Sequence, residues 1–332
     1  VNLVEEKLQD ALSSASDARE FFGAAGDSKM EAVTFLSIAK IRIAEEMHRE
    51  AIRAANAALL LFQKAGDSKG RAQGLRVLTG AYLTGGAVKE GMQSGEAAAS
   101  LFRELGNRRD EAYELHRMAT VHVENQKYQE ATQLAKKAHG IFQEIQFLKG
   151  EHLAVDLLAK IALEKGHDSW ALTVAKEGLD RFQAAGEKRW EAAMLGDTLL
   201  EVHIRRGKLG DALHVAQSSL AICKEIGDRK WEAKMLENVG TVYILTREFD
   251  EASKFGLDAS ALFQELGDLK NAGSLHYKLS GMRHQQGDHQ AGFEEASEAR
   301  NLFQKAGSRA SETTALLGMC YAHQLLGDTD SA

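Results

Sequence analysis

Few side chains in this sequence stand at spacings that do chemistry. Twelve histidines are present, yet none lies in a His-Glu-x-x-His pair and the two cysteines form no Cys-x-x-Cys, so the ligand spacings of zinc sites are missing. The nearest approach to a cluster is His284, Asp288 and His289 around one turn, which reads as a solvated loop. Gly85-Gly86 lacks the lysine and serine that a phosphate-cradling loop carries after its glycines. No serine sits in a nucleophile elbow. The expectation is therefore a chain that is not an enzyme, with no catalytic residues, no metal and no cofactor.

The elements that would have to position any site explain this. A phenylalanine recurs at Phe22, Phe62, Phe102, Phe142 and Phe182, is replaced once by Cys223, and returns at Phe263 and Phe303. Glycine follows four residues later at Gly26, Gly66, Gly106, Gly186, Gly227, Gly267 and Gly307. A period of about 40 residues marks a stack of repeats in which each unit touches mainly its neighbours. The complete absence of proline favours unbroken helices.

One unit shows the physics. Gly227-Asp228 reads as a helix stop followed by a helix N-cap. Leu236, Val239, Gly240 and Tyr243 then fall at i, i+3, i+4 and i+7, one apolar helical face. After the polar break Thr246-Arg247-Glu248, a second helix carries Phe255, Ala259, Leu262, Phe263 and Leu266 on its buried side. A small residue opens that second helix at Ala11, Ala51, Gly91, Ala131, Ala171, Ala212, Ala252, Gly292 and Ala332. Each unit is thus a helical hairpin. The step from Trp190-Glu191 to Trp231-Glu232 is one residue too long, as is Gly166 to Gly207, which places an insertion between Glu191 and Gly207. One extra residue inside a helix predicts a π-bulge or distorted turn.

The set Leu236, Val239, Gly240, Tyr243, Ala252 and Ala259 resembles the tetratricopeptide repeat, and the copies in register cover essentially all 332 residues. The longer period, with Gly-Asp between units, is similar to the long-repeat branch of cell-polarity adaptors and kinesin light chains. The resemblance implies an all-α fold: a right-handed α-solenoid, or superhelix, of about eight antiparallel helix pairs, running as one array over 1–332 with one 41-residue unit near 187–227. Phe147, where other units have the Asp of Gly-Asp, is expected to disrupt its turn.

The family's groove positions map onto Lys40, Arg76, Tyr113, His116, Asp156, Lys160, Lys234, Glu237, Asn238 and Tyr277, with Asp197 and Glu201 provisional across the insertion and Tyr321 at the end. Lys234 and Asn238 stand together, but the full lysine–asparagine clamp that chaperone-binding members use is missing. The resemblance implies a protein-interaction scaffold or adaptor that holds a peptide or protein partner of basic or mixed charge. The alternatives are a regulatory array within a larger enzyme or signalling protein, and a structural subunit of a large assembly. An apolar column, Ile43, Leu83, Val123, Leu163, Ile204 and Ile244, either packs between helices or offers a strip to a peptide. A basic column, Lys29, Lys69, Arg109, Lys149, Arg189, Lys230 and Lys270, is read as salt-bridging to Glu104, Glu144, Glu225 and Glu265, in preference to an anionic partner stripe.

A net charge of −7 disfavours a nucleic-acid partner, and no apolar run nears the ~18 residues of a membrane span. Two cysteines suit a reducing compartment such as the cytoplasm, and both are expected to be reduced core residues. The opening Val1-Asn2-Leu3 carries no initiator methionine. The chain is therefore read as a segment of a longer protein, whose targeting signal can lie elsewhere.

Overall fold

The computed structural model describes residues 2–327, with side chains described from residue 8 onward; Val1 and the small residue Ala332 lie outside them. The described residues form helices and turns and no strand. They divide after Lys165 into two compact units. The first holds α1 (Asn2–Ala25), α2 (Ser28–Ala44), α3 (His48–Lys64), α4 (Ser68–Thr84), α5 (Val88–Glu104), α6 (Arg108–Glu124), α7 (Tyr128–Glu144) and α8 (Leu148–Glu164). Within it α2–α3, α4–α5 and α6–α7 pack as hairpins.

The second unit begins with α9 (Asp168–Ala184). A compound helix follows, made of α10 (Lys188–Ala193), a π-helical segment Met194–Leu199 and α11 (Leu200–Arg205). It pairs with α12 (Leu209–Glu225). Then come the hairpins of α13 (Arg229–Thr246) with α14 (Phe249–Glu265) and α15 (Leu269–Gln285) with α16 (His289–Lys305), and finally α17 (Arg309–Leu326). The extra residue of the long repeat is taken up by the π segment, which widens one turn without ending the helix.

Each helix after the first is short because the turn chemistry stops it. At Gly66 the backbone turns left-handed at φ 65, and Asp67 N–H reaches back to the Phe62 carbonyl at 2.9 Å, closing a Schellman motif. Asp67 then caps α4 by accepting from Gly70 N–H at 2.9 Å. The turn at Phe147 keeps this geometry, contrary to expectation. Gln146 takes the left-handed conformation at φ 53, and Phe147 N–H bonds the Phe142 carbonyl at 2.8 Å. The Phe147 ring gives up the cap and joins Tyr113 and Phe142 instead, at centroid distances of 5.9 and 5.8 Å.

The recurring aromatic is the core of each unit. Phe62, Phe102, Phe142, Phe182, Phe263 and Phe303 are buried, and so is Cys223 in the same position. Phe62 packs on Ala32, Leu36 and Ala58 of its own hairpin and on Val77 and Leu78 of the next. A Cβ at Gly70 or Gly150 would run into the ring of Phe62 or Phe142, so glycine there admits the ring to the first turn of the next repeat. At Gly240 the α14 backbone lies 3.4 Å from a Cβ position, at the Ala252 carbonyl and the Gly256 nitrogen.

Some expectations fail at the edges. Leu266 is exposed because it caps α14, and Ala11 is exposed on α1. Cys223 is a free, buried thiol, but Cys320 is only half-buried. At the two ends Phe21 (69%) and Leu317 (65%) are largely exposed.

Candidate functional site

The family-derived groove positions fall on alternate helices, α2, α4, α6 and α8 in the first unit and the compound helix, α13, α15 and α17 in the second, and each unit places them differently. In the first unit Lys40 on α2 and Lys160 on α8 are exposed. Arg76 on α4 is spent inside the protein. Its guanidinium binds Asp110 at 2.8 Å and Glu114 at 2.8 Å, and lies over Phe102 at 4.6 Å. Glu114 is buried, and Arg117 holds its other oxygen. Arg117 also donates to the Arg76 carbonyl at 3.2 Å. Four charged side chains, Arg76, Asp110, Glu114 and Arg117, therefore stitch α4 to α6, and the buried carboxylate keeps both its oxygens paired. Tyr113 is turned inward, edge-on to Phe142 at 5.4 Å.

His116 is also internal. Its Nε2–H donates to the Leu153 carbonyl of α8 at 3.1 Å, since a carbonyl can only accept. Burial pushes its pKa below the usual 6.5, against the opposing influence of that bond and of Asp156. The lowered pKa favours the neutral imidazole, and the bond to the Leu153 carbonyl places a proton on Nε2. Asp156 is half-buried beside it and engaged in polar contacts of its own.

In the second unit Glu201 is exposed and paired with Arg205 one turn on, at 2.8 Å. Glu237 is buried between two ammonium groups, Lys234 at 2.9 Å and Lys278 of α15 at 2.6 Å. Its pKa is lowered on balance: burial pushes it up, and the hydrogen bonds from Lys278 and Lys234 outweigh that. Asn238, expected from the sequence on the groove face, instead donates Nδ2–H to the Gly196 carbonyl in the π segment at 2.8 Å. Across the same segment Ser219 donates to the Ala192 carbonyl at 2.7 Å. The π segment and the turn of α10 before it are thus bonded to the flanking helices α13 and α12. Tyr277 is exposed and lines a cavity with Tyr321 and His284.

The apolar column packs. Ile43 joins the core of the first hairpin and Ile244 that of α13–α15, and Leu83 lies against Gly91. The basic column pairs differently from expectation. Lys29 binds the N-cap Asp67 at 3.1 Å, Arg189 approaches the N-cap Asp228 at 3.7 Å, and Arg109 stacks over Phe147 at 4.2 Å. Each reaches the residue at the N-cap position of the next first helix. Glu144 and Glu265 are taken by Arg108 and Arg229, one residue earlier in the frame, because that position points along the hairpin. Reading the sequence missed Glu114, Arg117, Lys278 and Ser219. The partners of Glu114 and Lys278 lie 38 residues away (Arg76–Glu114) and 41 away (Glu237–Lys278), close to one repeat, and a search for opposite charges at that separation would have found those two.

Among the described residues no three His, Cys, Asp or Glu side chains gather as a metal site, and no helix is long and apolar enough to cross a membrane. The fold defines the class: a helical repeat solenoid of the tetratricopeptide type. No family model and no curated protein matches the sequence. Solved structures match the fold. Yeast Tom70 has 16% identity and a TM-score of 0.62 over 97% of this chain and 61% of its own. Aspartyl phosphate phosphatase F from Bacillus subtilis has 12% identity and a TM-score of 0.57 over 97% of this chain and 92% of its own. A signal transduction ATPase with a tetratricopeptide repeat sensor from Pyrococcus horikoshii has 14% identity and a TM-score of 0.57 over 89% of this chain. This chain spans 47% of that ATPase. At such identities the likeness is one of fold.

Proposed function

We propose that the protein is a non-enzymatic interaction scaffold that holds a protein or peptide partner on the first-helix faces of its units. Its hairpins are of the long-repeat kind, and together they act as one array. One observation carries the reading. Beneath the exposed Lys40, Lys160 and Glu201, the neighbouring side chains Arg76, Glu114, Glu237 and Lys278 are consumed in ion pairs between adjacent first helices. Each unit's first-helix face is therefore stiffened by ion pairs, and in the first unit the exposed charges of Lys40 and Lys160 remain for a partner, so that little ordering is needed on binding. The partner is of basic or mixed charge, and the setting is a reducing compartment such as the cytoplasm.

The test is affinity purification from the natural source with the protein as bait. Lys40→Glu with Lys160→Glu should lose a partner that the parent captures, with the helical CD signal unchanged. Capture of an identical set by both would overturn the reading. These lysines are chosen over Glu237, whose reversal would strand Lys278 and Lys234.

A second reading, a sensor array inside a larger signalling protein, is favoured by the fold match to an ATPase that carries such a sensor. The full natural gene product decides it: a catalytic domain in the same polypeptide supports this reading, and a product made of the array alone removes it.

A further inference from the structure

The seam between adjacent first helices is closed by charge at two places. It is closed by Arg76 with Glu114 between α4 and α6, and by Glu237 with Lys278 between α13 and α15. Between α15 and α17 the equivalent position is Tyr277, and the seam opens into a cavity of about 490 Å³. Two glycines make the room. A Cβ at Gly281 would meet nothing within 4 Å, and Tyr277 lies over Gly318, with its ring 3.0 Å from a Cβ position there.

Three rings wall the space. Tyr277 is 37% and Tyr321 is 53% exposed, so both offer ring surface to the cavity mouth. His284 stands edge-on to Tyr321 at 5.6 Å and 90°. The His284 ring is seated against Gly292 of α16, where any Cβ would strike it. Burial pushes its pKa down from the ordinary histidine value, and the neighbouring His289 lowers it further, both disfavouring a charge on this wall. The other lining residues, including Ser280 and Leu317, are uncharged as well. Two other cavities differ: one is lined by Arg19, Arg42, Glu50 and Arg53, the other by Lys89, Glu96 and Lys127.

A cavity walled by electron-rich aromatic faces, with no cation of its own, in a protein of net charge −7, suits a positive guest. We propose that Tyr277, Tyr321 and His284 form an aromatic cage for a lysine or arginine side chain of the protein partner. This rests on the scaffold reading and names the chemistry of one contact within it. The ring faces attract the cationic head, and the phenol oxygens accept its N–H bonds.

The experiment is an NMR titration of the whole chain with three blocked tripeptides, glycine flanking a central lysine, arginine or norleucine, read on the tyrosine and histidine ring signals. The lysine or arginine peptide should shift Tyr277, Tyr321 and His284, and the neutral norleucine peptide should bind about tenfold more weakly. Tyr321→Leu should weaken the cationic peptide by a similar factor. Gly281→Leu fills the cavity at a helical position with free space and should abolish the shifts with the CD melt retained. Equal binding of the norleucine peptide, binding that survives Gly281→Leu, or ring signals unmoved by either cationic peptide would each overturn the cage. The titration needs no natural partner, so its failure leaves the capture experiment on Lys40 and Lys160 to judge the scaffold on its own.

Discussion

At the scale of single residues, most side chains that looked available for a partner are holding the protein together. Arg76, Tyr113, His116 and Asn238 each reach a neighbouring first helix or the core. His116 makes this measurable. Its pKa is depressed from 6.5 by burial, so on acidification the unfolded chain takes up the proton before the folded one does. The stability tied to its neutral form is complete above the unfolded value and is lost as pH falls through the lowered folded one. His203 and His284, depressed mainly by burial as well, act in the same direction. Urea midpoints taken from about pH 7 to about pH 5 should fall for the parent and fall less for His116→Gln. Identical slopes would show that His116 is not buried in its neutral form.

At the scale of the element, the compound helix of the second unit is the departure from the repeat. Its π segment is bonded by Asn238, and the α10 turn before it by Ser219, and Gly196 lets the helices lie close. A Cβ there would meet the Met235 sulfur and, at 2.6 Å, the Ser219 hydroxyl. Met235 can swing aside, but Ser219 is fixed by its bond to Ala192. Gly196→Ala should therefore destabilise by about 1–3 kcal/mol, the range for overpacking a filled core, and not stabilise as alanine for glycine does in an open helix. A denaturation midpoint that rises would contradict the packing. Cys223 lies in the same repeat as a buried thiol whose pKa is pushed up to about 11, chiefly by burial, so it is a packing group and not a nucleophile.

At the scale of the whole molecule, the described residues divide into two compact units, and the three tryptophans, Trp170, Trp190 and Trp231, all belong to the second. A stack stabilised by nearest neighbours need not melt as one. In a guanidinium titration, tryptophan fluorescence reports the second unit and far-UV circular dichroism reports all helices. The expected outcome is a fluorescence transition narrower than the dichroism one and displaced from it. Superimposable curves would mean that both units unfold in one cooperative step.

The hairpin, its turns and its core were legible in the sequence because they depend on local rules repeated in register. Phenylalanine, glycine and aspartate at constant spacing specify a buried wedge, a left-handed stop and a cap wherever they occur. The one extra residue before Gly207 was legible for the same reason, as a break in a count. The pairing of charges was not legible: Arg76 with Glu114, Glu237 with Lys278 and Arg109 over Phe147 join neighbouring repeats. Which of several nearby charges meet depends on how each side chain leaves its helix. The sequence by itself thus determined the helical repeat and the face its first helices present. Only the tertiary structure decided which side chains on that face are already satisfied and where, at Tyr277 and Gly281, the seam opens. The physical reason is that backbone turns are set by adjacent residues, and satisfaction of a buried or half-buried charge is set by the partner that packing brings within reach.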